Sequence, residues 1–272
     1  MNYLLTIEAY YDTLSRKEKI IADYIKENGS DIIYETLSDI SKKLDVGEAT
    51  IMRFCHKLKF SGFQDLKLEA AKVTSADVEP IAEGGLINTK ATSTITALKA
   101  TQLAITMEDL EKASEYIDKA RSIFFFGVAN SSIAAKSMEL RLLRMGKVGH
   151  AVIDSHVQLI SASVVDKHSL IIAFSLTGAT KEIFDALKIA KINKAKIIVI
   201  TNNYKSPIAK LSSLKFQTFG RETPLDGGAI EGQLSQMFVA DYICSIYSKN
   251  NRENIRKQKE KTAEAIITRN IQ

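Results

Sequence analysis

The stretch Leu170-Ile-Ile-Ala-Phe-Ser-Leu-Thr-Gly-Ala-Thr-Lys-Glu182 decides the fold of the C-terminal half of this chain. An apolar run ends in hydroxyl side chains and a glycine, and a helical pattern follows. This order predicts a buried strand that passes through a short polar loop into a helix. Because strands buried on both faces and separated by helices form parallel sheets, residues 108–248 predict a doubly wound α/β domain with a five-stranded parallel sheet. The other four strands are predicted at 123–128, 148–153, 197–200 and 214–219.

The polar loop inside this stretch is suited to binding a phosphate. Ser175, Thr177 and Thr180 supply hydroxyl groups, and Gly178 lets the backbone approach a ligand closely. The first N–H groups of the helix that follows have no partner within the helix, and phosphates bind at such helix N-termini. The alternative is an ordinary strand-to-helix turn in which Thr180 only caps the helix.

A second polar loop, residues 127–132, follows the first predicted strand and also opens a helix. It contains Ser131, and Ala129 stands where a G-x-G-x-S turn has its second glycine. Ligands of parallel sheets bind beyond the carboxyl ends of the strands, so the two loops are expected to form one site. A dinucleotide site is disfavoured, because no G-x-G-x-x-G follows the first strand and Asp154 is the sole candidate for the acidic residue.

Residues 1–77 predict an all-α domain of the helix-turn-helix type. Ser15 and Glu18 form a capping box that starts a helix, and the apolar face of this helix is expected to include Ile20. A second helix capped by Thr36 leads through a tight turn into a third helix. Two helices joined by a short turn are typical of domains that bind the major groove of DNA.

The third helix carries the residues that are predicted to contact DNA. With its apolar side chains buried, Thr50, Arg53 and Lys57 share the opposite face. Arg53 can bond a guanine edge, and Thr50 can meet a thymine methyl or a phosphate. Further phosphate contacts are predicted for Lys57, Lys59 and, at the start of the next helix, Ser61. The alternative is a small helical bundle that serves dimerisation and has a solvated polar face.

The distribution of charge along the N-terminal domain supports a DNA-binding helix more strongly than the net charge of the whole chain does. The chain has a net charge of +5 and is 45% hydrophobic, which is enough to form a sizeable core. Residues 1–40 carry four basic and eight acidic side chains, whereas residues 41–72 carry seven basic and four acidic. The positive part of the domain is therefore the part that contains the predicted DNA contacts.

The segments outside the two domains are predicted as follows. Residues 78–107 form a linker and a connecting helix, with the polar stretch 74–90 as the linker and the helical pattern resuming near Thr92. A break in this pattern is expected near Met107. Residues 249–272 form a basic tail, which is either frayed in solvent or a helix. As a helix, it is expected to turn inward Ala263, Ile266 and Ile267.

Composition argues against several other classes of protein. Cys55 and Cys244 lie far apart in apolar surroundings, so neither a disulfide nor a metal site is expected, and nothing indicates a cofactor. No apolar run approaches the ~18 residues that a membrane span needs. The N-terminus has no basic-then-apolar signal pattern, so a cytoplasmic protein without a membrane partner is expected.

Two groups of residues together resemble a known family. Leu14-Ser15 with Glu18, and Ala49-Thr50-Ile51 with Ser61-Gly62-Phe63, are similar to the N-terminal domain of RpiR-type transcriptional regulators. Residues 120–250 resemble the sugar isomerase (SIS) domain that those regulators carry. The resemblance implies a regulator of sugar or amino-sugar metabolism that binds a double-stranded DNA operator and responds to a phosphorylated sugar. It also implies assembly as a homodimer or homotetramer.

The resemblance further implies roles for single residues. The SIS pattern S-x-S-G-x-T matches residues 175–180, with Thr177 in place of the middle serine, and the serine of the first loop matches Ser131. Glu222, after the last predicted strand, could contact sugar hydroxyls or be a surface acid. His156 could reach the ligand or be a packed or solvent-facing histidine. The phosphosugar is thus expected to be bound by Ser131, Ser175, Thr177, Gly178, Thr180 and Glu222.

An SIS domain can instead be a phosphosugar isomerase. Aldose–ketose isomerisation needs a base near C1 and C2 of the sugar. The candidate bases Glu222, His156 and Glu231 form no convincing constellation, and a helix-turn-helix has no evident role in an isomerase, so no catalytic residue is predicted. A scaffold that senses phosphosugars without binding DNA is the third possibility. The face formed by Thr50, Arg53 and Lys57 distinguishes the regulator from both.

Overall fold

The computed structural model of the chain describes residues 3–29, 32–76, 85–220 and 230–267. The described residues form two compact units. The chain passes from the first unit into the second between Thr89 and Lys90. Each unit has its own hydrophobic core, and each is described by itself below. Within the described ranges, no helix combines the length and the apolar character needed to cross a membrane.

The described part of the first unit is helical. Two short 3-10 helices, Tyr11–Thr13 and Ile32–Tyr34, lie between longer α-helices. The core is formed by side chains from all five helices, with Ile7, Ile25, Phe54 and Leu66 fully buried. The helices are α1 (Tyr3–Tyr10), α2 (Arg16–Glu27), α3 (Leu37–Leu44), α4 (Glu48–Lys57) and α5 (Phe63–Ala76).

Local sequence signals start and end these helices. The capping box at the start of α2 is present, with the Ser15 N–H donating to the Glu18 carboxylate over 2.8 Å. Thr36 caps α3 in the same way, and Asp45 ends α3 in the left-handed conformation at φ 52°. The expected position of Ile20 was wrong. Its side chain is 42% exposed, because the buried stripe of α2 is centred on Ile21 and Ile25.

The second unit contains the predicted five-stranded parallel sheet. Its strand order is β2-β1-β3-β4-β5, and every neighbouring pair is parallel. The strands are β1 (Ser122–Phe126), β2 (His150–Val152), β3 (Ser169–Phe174), β4 (Lys196–Thr201) and β5 (Leu214–Gln217). The helices are α6 (Gly85–Ala104), α7 (Met107–Lys119), α8 (Asn130–Arg144), α9 (Ser155–Val164), α10 (Lys181–Ile192), α11 (Ile230–Asn250) and α12 (Arg252–Ile267).

Helices cover both faces of this sheet, which confirms the doubly wound prediction. Successive residues of β3 point to opposite faces. Ile172 packs in a core with side chains of α7, α8 and α11, and Ile171 packs in a separate core with side chains of α9 and α10. All six residues of β3 are buried, because this strand lies in the middle of the sheet with helices on both sides.

The segments between and after the domains differ in part from the prediction. Helix α6 begins at Gly85 rather than near Thr92, so the linker is shorter than expected, and residues 77–84 lie outside the described residues. The expected break near Met107 is present, since Thr106 caps α7 there. The tail forms α12, but its inward face was predicted wrongly. Ile255 is buried, and the side chains that remain exposed include Ile266 and Ile267.

Candidate functional site

The two polar loops leave the same edge of the sheet, at the point where its strand order reverses. From β1 the chain passes to β2 on one side, and β3 then lies against the other side of β1. Phe126 at the end of β1 pairs with Ala173 of β3, so the segments that follow both strands leave the same edge. In open α/β sheets, the crevice at this switch point is where ligands bind. The prediction that the two loops lie together at one edge is therefore confirmed.

The loop after β3 gathers its hydroxyl groups around one turn. The hydroxyls of Ser175 and Thr180 are 3.0 Å apart, and the Ser175 Oγ also accepts a hydrogen bond from the Gly178 N–H. The Thr177 Oγ1 accepts from the Ala179 N–H over 3.2 Å. Thr180 occupies the N-cap position of α10, but its side chain makes no capping hydrogen bond. The reading of Thr180 as a plain helix cap is therefore not supported, and the first N–H groups of α10 lack a side-chain cap.

Both the backbone conformation and the close neighbours of residue 178 require a glycine at this position. It adopts φ +65°, and a Cβ at this position would lie 2.1 Å from the Ser206 Oγ and 2.9 Å from the Thr201 Oγ1. Thr201 ends β4, and its hydroxyl donates to the Leu176 carbonyl. Ser206 and Thr201 are both buried. Both therefore support the loop from the side of β4, although no pattern in the sequence marks either residue as part of the site.

The backbone of the loop after β1 also leaves no space for a side chain at its glycine. A Cβ on Gly127 would lie 2.6 Å from the Ser131 carbonyl oxygen. Ala129 adopts φ 49° and ψ −127° at the N-cap of α8, a conformation that glycine adopts far more readily than alanine. Ser131, in the first turn of α8, is buried. Ala129 therefore adopts a backbone conformation that is typical of glycine.

A buried glutamine supports this second loop. The Gln158 side chain on α9 donates to the Gly127 carbonyl over 3.2 Å and to the Val152 carbonyl over 2.7 Å. These bonds join the ends of β1 and β2, and the sequence analysis did not identify them. His156, two residues earlier, is exposed on α9. Glu222 lies outside the described residues.

The candidate DNA-binding face lies on α4 of the first unit. The buried side of α4 consists of Ile51, Phe54 and Cys55, as the helical pattern requires. Arg53 is exposed, and its guanidinium donates to the Thr50 hydroxyl over 3.3 Å, so the two side chains lie side by side. His56 is exposed on the same helix and was not predicted as a site residue.

Two of the five predicted DNA contacts, Lys57 and Ser61, bond residues outside the predicted set. The Lys57 Nζ donates to the Thr13 carbonyl over 2.6 Å and pairs with the Glu18 carboxylate at 3.1 Å, so Lys57 ties α4 to α2. Burial raises the pKa of Glu18, but hydrogen bonds from Ser15 and Lys57 outweigh burial, so this pKa lies below its ordinary value. These contacts count against Lys57 as a readily available phosphate contact.

Ser61 is engaged in a similar way at the start of α5. Its N–H and its hydroxyl both lie within hydrogen-bond distance of the Asp65 carboxylate, at 2.8 and 3.1 Å. An acid in the first turn competes with any phosphate for the same positive end of the helix. Lys59, by contrast, is exposed just after α4, at φ 69°.

Comparison with known proteins adds independent information. The model of the helix-turn-helix domain of the rpiR family matches residues 1–77, and the SIS domain model matches residues 116–245. An uncharacterized HTH-type transcriptional regulator of Clostridium perfringens is 33% identical over 93% of this chain and 94% of its own length. The Escherichia coli HTH-type transcriptional regulator RpiR is 27% identical, over 90% of this chain and 86% of its own.

A solved structure matches the chain over its full length. It is that of the Vibrio vulnificus NanR protein complexed with ManNAc-6P, with a TM-score of 0.86 and 27% identity over 100% of both chains. The match therefore covers both the helical N-terminal domain and the SIS domain of this chain.

Proposed function

Because the chain belongs to the RpiR family of HTH-type transcriptional regulators, we propose that a phosphosugar bound at residues 127–131 and 175–180 controls its affinity for DNA. The chain is thus a DNA-binding regulator of sugar or amino-sugar metabolism. The observation that carries the proposal is that two polar loops leave the same edge of the sheet at the β1/β3 switch point. Both loops lead directly into helix N-termini.

The phosphate is held by hydroxyl groups and backbone N–H groups. Ser175, Thr177 and Thr180 offer their hydroxyls from one loop, and Ser131 offers its hydroxyl from the other. Gly178 permits the close approach of the backbone. The N-terminus of α10, which lacks a side-chain cap, adds its N–H groups and a partial positive charge, which stabilise an anion.

The first sugars to consider are phosphates of N-acetylated amino sugars. The NanR structure that matches this chain over its full length is complexed with ManNAc-6P. In this chain Thr177 replaces the middle serine of the SIS pattern, and its extra methyl group narrows the loop. Glu222 remains a candidate for contacting sugar hydroxyls.

Regulation fits these residues better than isomerisation. An isomerase needs a general base beside C1 and C2 of the sugar. His156 is exposed on α9, and Glu231 is engaged by Ser93 and Lys90 of α6. The curated relatives that match nearly the full chain are named as transcriptional regulators. We therefore assign no catalytic residue and no cofactor to this protein.

The operator is contacted by α4. Arg53 reads a base edge and Thr50 sits beside it, while Lys59 binds a phosphate. Lys57 and Ser61 contribute less, because both already have partners within the first unit. Helix α6, through which the chain enters the second unit, transmits the occupancy of the sugar site. A coupling free energy of about 1–3 kcal/mol is typical of such proteins.

The experiment combines ligand binding with DNA binding. Thermal shifts are measured with N-acetylmannosamine 6-phosphate, glucose 6-phosphate, inorganic phosphate and unphosphorylated N-acetylmannosamine. A phosphosugar should raise the melting temperature by mass action, and the unphosphorylated sugar should not. DNA selected from a random pool by the protein is then titrated with and without that phosphosugar, and the affinity should change by roughly 5–150-fold.

A pair of serine variants tests the site. Ser175→Ala removes a hydroxyl at the centre of the loop and should weaken phosphosugar binding about tenfold or more. Ser163→Ala is the matched control, because this serine is exposed on α9 and its hydroxyl donates to the Leu159 carbonyl of the same helix. Absence of any phosphosugar shift in the wild-type protein, or unchanged DNA affinity with the sugar bound, would contradict the proposed function.

A further inference from the structure

The first turn of α11 packs directly on the proposed phosphate loop. A Cβ on Gly232 would lie 2.9 Å from a methyl carbon of Leu176, which belongs to that loop. On its other side, the backbone of Gly232 adjoins Gly220, which follows β5. The start of α11 is therefore at the carboxyl edge of the sheet, next to the groups that would bind the phosphate.

A buried carboxylate lies in this turn. Glu231 is 2% exposed, and its Oε1 accepts a hydrogen bond from the Ser93 hydroxyl of α6 over 2.9 Å. The Lys90 Nζ, also on α6, is 3.8 Å from the same oxygen. The Oε2 atom is buried and has no hydrogen-bond partner among the residues that the structure describes. One oxygen of Glu231 thus faces two donors, and the other faces none.

Such an arrangement is costly unless something else supplies a donor. A buried ionised group needs hydrogen bonds at both of its oxygens, and buried polar atoms in native proteins are nearly always paired. A second buried side chain on the same helix, Gln236, has both amide atoms without a partner in the described part of the chain. Three buried polar atoms near the N-terminal end of α11 therefore have no hydrogen-bond partner among the described residues.

We propose that the Glu231 Oε2 accepts a hydrogen bond from a hydroxyl or N–H group of the bound phosphosugar, and that Glu231 determines which sugar is recognised. The inference rests on the proposed function, since it requires the phosphate to lie in the 175–180 loop. A carboxylate only accepts hydrogen bonds, and the ring hydroxyls and the acetamido N–H of an amino sugar donate them. Glu231 therefore suits the sugar end of the ligand, whereas the loop suits its phosphate end.

The same residue links the sugar to α6. Because Oε1 holds Ser93 and Lys90, a change at Oε2 acts on two residues of α6. A second bond, from the Phe219 N–H to the Thr101 hydroxyl, ties α6 to the segment after β5. In this proposal Glu231 both contacts the sugar and bonds α6, the helix through which the chain enters this unit.

The test measures the affinity for a whole ligand and for its phosphate alone. Glu231→Gln keeps the size of the side chain and one acceptor for Ser93, but it replaces the other oxygen with a donor. By isothermal titration, this variant should bind the phosphosugar about tenfold or more weakly than wild type. Its affinity for inorganic phosphate, measured in competition, should remain within about twofold, since the loop is unchanged.

Two further variants complete the experiment. Glu264→Gln is the control for charge, because it removes an exposed carboxylate from α12, which contributes no residue to the proposed site. It should leave discrimination between sugars unchanged. Glu231→Asp retains the charge but withdraws it by one methylene. The aspartate variant should also bind the phosphosugar more weakly and keep its affinity for inorganic phosphate. It keeps the proposal testable if the glutamine variant does not fold.

The outcomes separate this inference from the proposed function. If wild type binds a phosphosugar and Glu231→Gln binds it equally well, the chain itself satisfies the carboxylate and the inference is overturned. An equal loss of phosphosugar and inorganic phosphate also overturns it, because Glu231 then only supports the loop. If wild type binds no phosphosugar at all, the proposed function fails and this inference fails with it.

Discussion

Ala129 occupies a backbone conformation that favours glycine. At φ 49° and ψ −127° its Cβ crowds the backbone, and residues held in such regions cost about 1–3 kcal/mol each. The turn persists because its surroundings hold it. Gly127 packs against the Ser131 carbonyl on one side, and Gln158 bonds the Gly127 carbonyl on the other.

Ala129→Gly should therefore stabilise the second unit. Relief of the strained backbone outweighs the greater freedom that glycine gives the unfolded chain, so the free energy of unfolding should rise by about 1 kcal/mol. Urea denaturation followed by circular dichroism measures the change. Ala91→Gly, at an exposed position of helix α6, is the matched control and should lower stability by about 0.5–1 kcal/mol. Destabilisation by Ala129→Gly would show that the turn is not strained.

Single residues could be predicted from the sequence where their role depends on near neighbours in the chain. The hydroxyls of Ser175 and Thr180 were identified because they lie in one loop, and the structure places them together. The supporting residues Thr201, Ser206 and Gln158 come from other elements. Their contacts depend on strand order, which no local pattern in the sequence contains.

At the scale of elements, α4 shows how a helix is divided between packing and recognition. Its buried stripe was correctly predicted from spacing alone. The polar side is not wholly available to DNA, contrary to what the pattern indicated, because the Lys57 ammonium bonds Thr13 and Glu18 of the first unit. On the face formed by Thr50, Arg53 and Lys57, Arg53 is therefore the exposed cation.

Arg53→Ala should weaken binding to the selected DNA by about 1–3 kcal/mol, which corresponds to roughly 5–150-fold, and should reduce discrimination against other sequences. Fluorescence anisotropy with the selected duplex and a scrambled duplex measures both effects. Lys17→Ala removes the same charge from an exposed position on α2 and serves as the control. If Arg53→Ala and Lys17→Ala weaken binding by the same factor, and equally for both duplexes, Arg53 contributes only its charge. The prediction that Arg53 contacts a base edge is then wrong.

At the scale of the whole molecule, one surface of the second unit is unusually apolar. Val157, Ile160 and Val164 form an exposed stripe along α9, with side chains between 46% and 74% exposed. Ile153 is exposed just after β2, which is the edge strand of the sheet on this side. A second copy of the chain is the natural partner for such a surface, because DNA-binding helices of this type act as pairs on two half-sites.

We therefore expect a homodimer or a larger homo-oligomer that depends on α9. Ile160→Glu should shift the protein toward the monomer in sedimentation velocity and reduce its affinity for DNA. Ile192→Glu, at an exposed residue that ends α10, is the matched control and should leave the assembly intact. A wild-type protein that sediments as a monomer at micromolar concentration would refute the expectation. So would an oligomer that Ile160→Glu does not change.

The amino-acid sequence by itself determined the elements and their class. Hydrophobic spacing and caps at Ser15 and Thr36 define helices, and apolar runs separated by helices define a parallel sheet, because these signals act between residues close in the chain. The tertiary structure decided which groups have partners. It engaged Lys57 and Ser61, exposed Ile20 and Ile266, and buried Glu231 beside α6, because each of these outcomes depends on contacts across elements.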